Sequence, residues 1–134
     1  MRAVVHTIWV IAVWASAALA QDDVQDDAQK ERLILPSGLE AELLEVLQEG
    51  DLRRFRFVAP AFTRAMTLEA ISVDLEHLCE KIALPALAEP ATPDLRIIMS
   101  LADIPSEFGV PDPDVAQVFE AYRVQDGLCI WEVF

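Results

Sequence analysis

The sequence predicts an α+β domain on three observations. Residues 67–85 join a helix cap to a helical apolar stripe, residues 95–102 and 128–134 are short runs rich in β-formers, and residues 52–59 alternate charged with apolar side chains. An amphipathic helix must bury its stripe against something, and strands with an apolar face supply that surface.

The chain starts with MRAVVHTIWVIAVWASAALA, in which Arg2 precedes an uncharged apolar run and the segment closes on Ala18-Leu19-Ala20. This reads as a secretory signal peptide over residues 1–20, cut between Ala20 and Gln21 where small side chains suit the peptidase pocket. Residues 21–31, QDDVQDDAQKE, offer almost nothing to bury and are expected to be a disordered acidic leader. Residues 32–134 are then a single folded domain, exported to the periplasm or secreted, with no membrane contact after cleavage.

Gly38 to Gln48 fits two readings. Leu39, Leu43, Val46 and Leu47 make a helical stripe, and Ser37 with Glu40 resembles a capping box. As a strand, the same residues set Glu40 and Glu42 within cross-strand reach of Arg54 and Arg56, with Glu49 to Asp51 as a hairpin connection. Leu52 to Ala59 predicts a strand with one buried face. Thr67 caps a helix whose stripe is Leu68, Ile71, Leu75, Leu78 and Ile82, ended by Pro85. Leu95 to Ala102, nearly all apolar, predicts a covered strand. Asp112 with Pro113 at the first helical position predicts a second helix bearing Val115, Val118, Phe119 and Tyr122. Leu128 to Phe134 comes after the Asp126-Gly127 turn signal as a last strand.

Composition narrows the function classes. A chain of 134 residues is one small domain, too short for a two-domain nucleotide enzyme. Its net charge of −13 opposes binding to nucleic acid. No Gly-rich phosphate loop, nucleophile elbow or H-E-x-x-H helix is present, so no catalytic residue and no cofactor are assigned.

In an oxidising compartment the two cysteines, Cys79 and Cys129, are most simply one disulfide, pinning the helix to the strand that carries Trp131. His77 and Asp74 are weak metal candidates: one carboxylate–histidine pair is short of the ligands zinc takes. Positions i and i+2 lie about 200° apart around a helix, so His77 is expected to face solvent while Cys79 flanks the stripe. Arg53, Arg54 and Arg56 read either as an anion clamp or as partners of Glu40 and Glu42. Asp103, Glu107, Asp112 and Asp114 could do acid–base work only if burial separated their pKa values, and turns explain them as well. Arg54, Arg56, Trp131 and Phe134 are the candidate contacts to a ligand or partner.

The phrases RFRFVAP (54–60), DLEHLCEKIALP (74–85), IMSLAD with EFG (98–109) and FEAYR-x-x-DG-x-CIWE-x-F (119–134) resemble a family of small exported alphaproteobacterial proteins, a domain of unknown function. The resemblance favours the hairpin reading of Gly38 to Gln48, and so a two-layer domain in the order ββαβαβ. Some similar proteins are called acetolactate synthases, but such enzymes carry a glycine-aspartate-glycine motif, and the sole Asp-Gly here is the Asp126-Gly127 turn. The expected function is therefore a non-catalytic binding or accessory protein whose partner is another periplasmic protein or a small ligand. The alternative is a metal-dependent or acid–base enzyme built on His77 and nearby carboxylates.

Overall fold

The computed structural model describes residues 31–88 and 91–133. The expected signal peptide, its cleavage point, the leader up to Lys30 and the candidate contact Phe134 lie outside these residues. Six strands form one sheet in sequence order: β1 (Leu33–Ile34), β2 (Glu40–Glu49), β3 (Leu52–Val58), β4 (Arg96–Ala102), β5 (Gln117–Gln125) and β6 (Leu128–Glu132). Neighbours run antiparallel except β3 and β4, which are parallel. A parallel pair needs a crossover, and the one between β3 and β4 carries α1 (Leu68–Leu78), a π-helical turn (Cys79–Ala83) and the short α2 (Leu84–Ala86).

The architecture is thus α+β, a mixed sheet with one helical crossover, and the order ββαβαβ is corrected to βββαβββ: the short β1 precedes the expected hairpin, and the expected second helix is replaced by a strand. Residues expected as a second helix form a turn and then β5. Asp112 does act as a local cap, with Oδ1 accepting from the Asp114 N–H at 3.0 Å, but for a single turn. From Gln117 to Arg123 the chain pairs with β4, and from Ala121 to Gln125 it pairs with β6. The physical reason lies in the β5–β6 turn. Asp126 and Gly127 have φ of +53° and +73°, the two left-handed residues of a tight hairpin, and such a turn demands a strand on each side. Val118, Glu120, Tyr122 and Val124 then take the inward positions at a period of two.

The stretch expected as either helix or strand forms β2 from Glu40 onward, in agreement with the hairpin reading, and is joined to β3 through Gly50 (φ +55°) and Asp51. Its cross-strand partners differ from those expected. A bulge between Leu43 and Glu45 shifts the register, so Glu45 lies opposite Arg56 and Leu47 opposite Arg54, while Glu40 pairs with Ile34 of β1.

Thr67 caps α1 as expected, its hydroxyl accepting from the Ala70 N–H at 3.2 Å. Ile71, Leu75 and Leu78 are buried against the sheet, but Leu68 is exposed and Asp74 occupies the buried stripe as well. Pro85 does not end the helical path. The π turn reaches back from the Leu84 N–H to the Cys79 carbonyl, and the path continues through Pro85 to Ala86. Such a widened turn is one of the ways a helix accommodates a proline.

The core lies between α1 and one sheet face, with Phe55, Phe57, Ile97, Met99, Leu101 and Tyr122 below and Ile71, Leu75, Leu78 and Cys79 above. Each large apolar side chain buried there contributes about 1.5–3 kcal/mol. Cys79 and Cys129 form the expected disulfide, with Cα atoms 6.3 Å apart, which fastens the crossover to β6.

Candidate functional site

Strand alternation divides the arginine cluster. Arg54 and Arg56 share the sheet face opposite the helix, whereas Arg53 lies on the helix side, between Gln48 and Ile97. Arg56 is only 4% exposed. It pairs with Glu45 and also donates to the Ser106 carbonyl at 2.9 Å and the Ser106 hydroxyl at 3.1 Å. The guanidinium carbons of Arg54 and Arg56 lie 4.9 and 5.7 Å from the Phe108 ring centre. These two arginines hold the β4–β5 loop down on the sheet, so as candidate ligand contacts they are already engaged within the chain.

Asp74 and His77 are not brought together. The Asp74 carboxylate is fully buried and turned to the β1–β2 turn, where Oδ1 accepts from the Ser37 N–H at 2.9 Å and Oδ2 from the Ser37 hydroxyl at 2.5 Å. That hydroxyl accepts in turn from the Leu39 N–H at 3.3 Å. His77 is half-buried rather than fully solvent-facing. Among the described residues no group of three or more His, Cys, Asp or Glu side chains could hold a metal ion.

A second polar cluster, missed in the sequence, lies between β5 and α1. Glu120 accepts from the Ser72 hydroxyl and from the Tyr122 hydroxyl, the latter at 2.6 Å. Burial pushes the Tyr122 phenol well above its ordinary pKa, reinforced by the Glu120 hydrogen bond and by the negative charges of Glu120 and Glu76. The hydroxyl therefore stays protonated and donates, which suits a lock between layers. The signal was a glutamate at an inward position of a period-two pattern, hidden while the segment is read as a helix.

The acidic loop does not converge on a site. Asp103 accepts from the Ala116 N–H at 2.9 Å through its side chain, and its own N–H donates to the Ala116 carbonyl at 3.1 Å. With Asp112 closing its own turn, two of the four carboxylates are engaged with the backbone. Glu107 and Asp114 are exposed.

The two edges of the sheet differ. Past its two-residue pairing with β1, the β2 edge carries Glu42, Glu45 and Glu49 and the bulge. Charge and bulging are devices that keep an edge from recruiting another strand. β6 lacks both devices. It is regular, holds no lysine, arginine or proline, and its one charge, Glu132, is taken by Arg96 at 2.7 Å and Arg123 at 3.7 Å. Leu128 is 51% exposed, Trp131 56% and Val133 76%. Trp131 lies opposite Tyr122 on the helix side, two residues beyond the disulfide, while Leu128 and Ile130 alternate to the other face. Among the described residues no strand pairs with the outer side of β6.

No helix among the described residues is long and apolar enough to cross a membrane. No match was found among curated proteins or among solved structures. A family model does match, covering residues 12–134 and so the whole sheet, the crossover and both cysteines; the chain belongs to that family, described as a family of unknown function (DUF6497).

Proposed function

We propose that the mature chain is a small exported domain that binds another protein of its compartment and performs no catalysis. The observation that carries this reading is the outer edge of β6: a regular strand whose single charge is already paired, with Leu128, Trp131 and Val133 exposed, in a chain whose opposite edge is charged and bulged. Unpaired main-chain groups flanked by apolar side chains suit addition of an extended partner strand. The Cys79–Cys129 bridge supports an oxidising compartment for the encounter, and the signal-like first twenty residues support export.

Site-specific photocrosslinking in cells tests the reading. A photoreactive residue at Leu128 or Val133 should give an adduct of discrete mass that the same probe at Glu69 of α1 does not give. Trp131→Lys should abolish that adduct while leaving the oxidised chain at normal abundance. An absence of adducts at β6, or the same adducts from Glu69, would overturn the proposal.

A further inference from the structure

Three strands across the sheet from Trp131, a cleft of about 410 Å³ opens between the β2–β3 hairpin end and residues 86–88, 92 and 95 of the crossover. That size falls within the roughly 300–1,000 Å³ usual for small-molecule sites. Val46, Phe55, Leu87 and Leu95 supply its apolar lining. Its charged groups are Arg53 and Asp51, with Gln48 and Thr92 beside them.

Two facts about those charges point to a ligand. Arg53 stands on the side of the sheet that carries Phe55 and Phe57, where the alternation places apolar residues. Its Nη1 donates to the carbonyls of Gly50 at 2.6 Å and Leu52 at 3.2 Å, which fixes the side chain and leaves Nη2 and Nε to donate elsewhere. Among the described residues no carboxylate lies within ion-pair distance of Arg53, although the chain has 23 acidic residues for 10 basic ones. Asp51 lines the same cleft, is exposed, and is not ion-paired with Arg53 or any other cation there.

We infer that this cleft binds an α-amino acid with an apolar side chain, its carboxylate on Arg53, its ammonium on Asp51 and its side chain against Phe55 and Leu95. A guanidinium fork suits a carboxylate, and a carboxylate suits an ammonium. The lack of an Arg53–Asp51 pair leaves both charges available to one ligand that bears both. A zwitterion has no net charge for the acidic protein to repel, whereas a simple anion would also meet Asp51 at close quarters. The site is independent of the β6 edge, and its failure would leave that reading standing.

The test is a titration of the isotope-labelled, oxidised mature chain, monitored by amide chemical shifts. L-Leucine is the probe; isocaproate, which lacks the ammonium, and isoamylamine, which lacks the carboxylate, are the controls. Saturable shifts at millimolar leucine are expected at Gln48, Arg53 and Leu95 and not at Trp131. Arg53→Gln, Asp51→Asn and either control ligand should each weaken binding by about tenfold or more. Asp51 is an exposed turn residue, so its variant folds even if Arg53→Gln is impaired. No saturable shift with leucine overturns the inference. So does isocaproate binding as tightly as leucine, or wild-type affinity in the Asp51→Asn chain.

Discussion

Removing the disulfide should cost this domain about a quarter of a typical stability or more. Cys79 and Cys129 are 50 positions apart. On the chain-entropy relation, closing a loop of that size lowers the entropy of the unfolded chain by about 14 cal/mol/K, or about 4 kcal/mol at 25 °C. A domain of this size has roughly 5–15 kcal/mol in all. Both sulfurs are buried among apolar side chains, so Cys79→Ala with Cys129→Ala introduces no unsatisfied polar group and only a small void. Urea unfolding of the double variant and of the dithiothreitol-reduced wild type should therefore shift to lower midpoint by roughly 2–3 M at a typical slope for a small protein. Heat should show the same loss as roughly 15–30 °C in Tm. The two perturbations should agree, since both remove the same constraint. A loss below about 1 kcal/mol in both would refute the reasoning, because the unfolded chain would then not have been restrained by a closed ring.

The latch between helix and turn gives a second test: Asp74→Ala leaves the Ser37 N–H and hydroxyl without their acceptor and should cost about 2–3 kcal/mol in urea unfolding. Ser37→Ala made in the Asp74→Ala chain should then cost less than in the wild type, with only the Leu39 N–H contact left to lose, as a double-mutant cycle would register. Tyr122 is the chain's sole tyrosine, so phenolate absorbance reports it alone. Its pKa in the folded state is raised, so its stabilisation is complete below the unfolded value near 10 and is lost as pH climbs beyond that. Absorbance should appear only together with alkaline unfolding, and a separate titration near pH 10 in folded protein would contradict the buried placement. At the β5–β6 turn, Gly127→Ala forces a side chain into φ +73° and should cost about 1–2 kcal/mol by thermal denaturation.

Local signals in the sequence carried the elements whose cues were self-contained. Thr67 with the Ile71, Leu75 and Leu78 stripe identifies α1, and the Phe55, Phe57 alternation identifies β3, because a cap and a period each act within a few residues. β5 escapes because Val115, Val118, Phe119 and Tyr122 satisfy a helical spacing as well, and the cue that decides it, the Asp126-Gly127 turn, comes after the segment. That turn points forward to β6 more plainly than back to β5. Glu45 is hidden as the partner of Arg56 because a bulge has no residue signature here and moves every pairing beyond it. Asp74 is readable as buried, three residues after Ile71 and four before Leu78, yet its proximity to His77 in sequence draws the chemical reading outward. Arg53, Arg54 and Arg56 look like one cluster, and only alternation about a known strand axis separates Arg53 into the cleft.

The wide turn at Cys79–Ala83 makes the number of residues in the crossover a fixed quantity. A hydrogen bond that skips five positions instead of four accommodates one surplus residue. Deleting one would restore regular spacing but rotate α2 and its exit by about 100° relative to α1. With Cys79 bonded to Cys129 and Leu87 forming a wall of the cleft, that phase error cannot be absorbed at either end. Lys81 is exposed and exchangeable as a side chain, while its place in the count is not. The segment should tolerate substitution at Lys81 and reject its removal, so chain length there, more than residue identity, keeps the cleft and the covalent link in step.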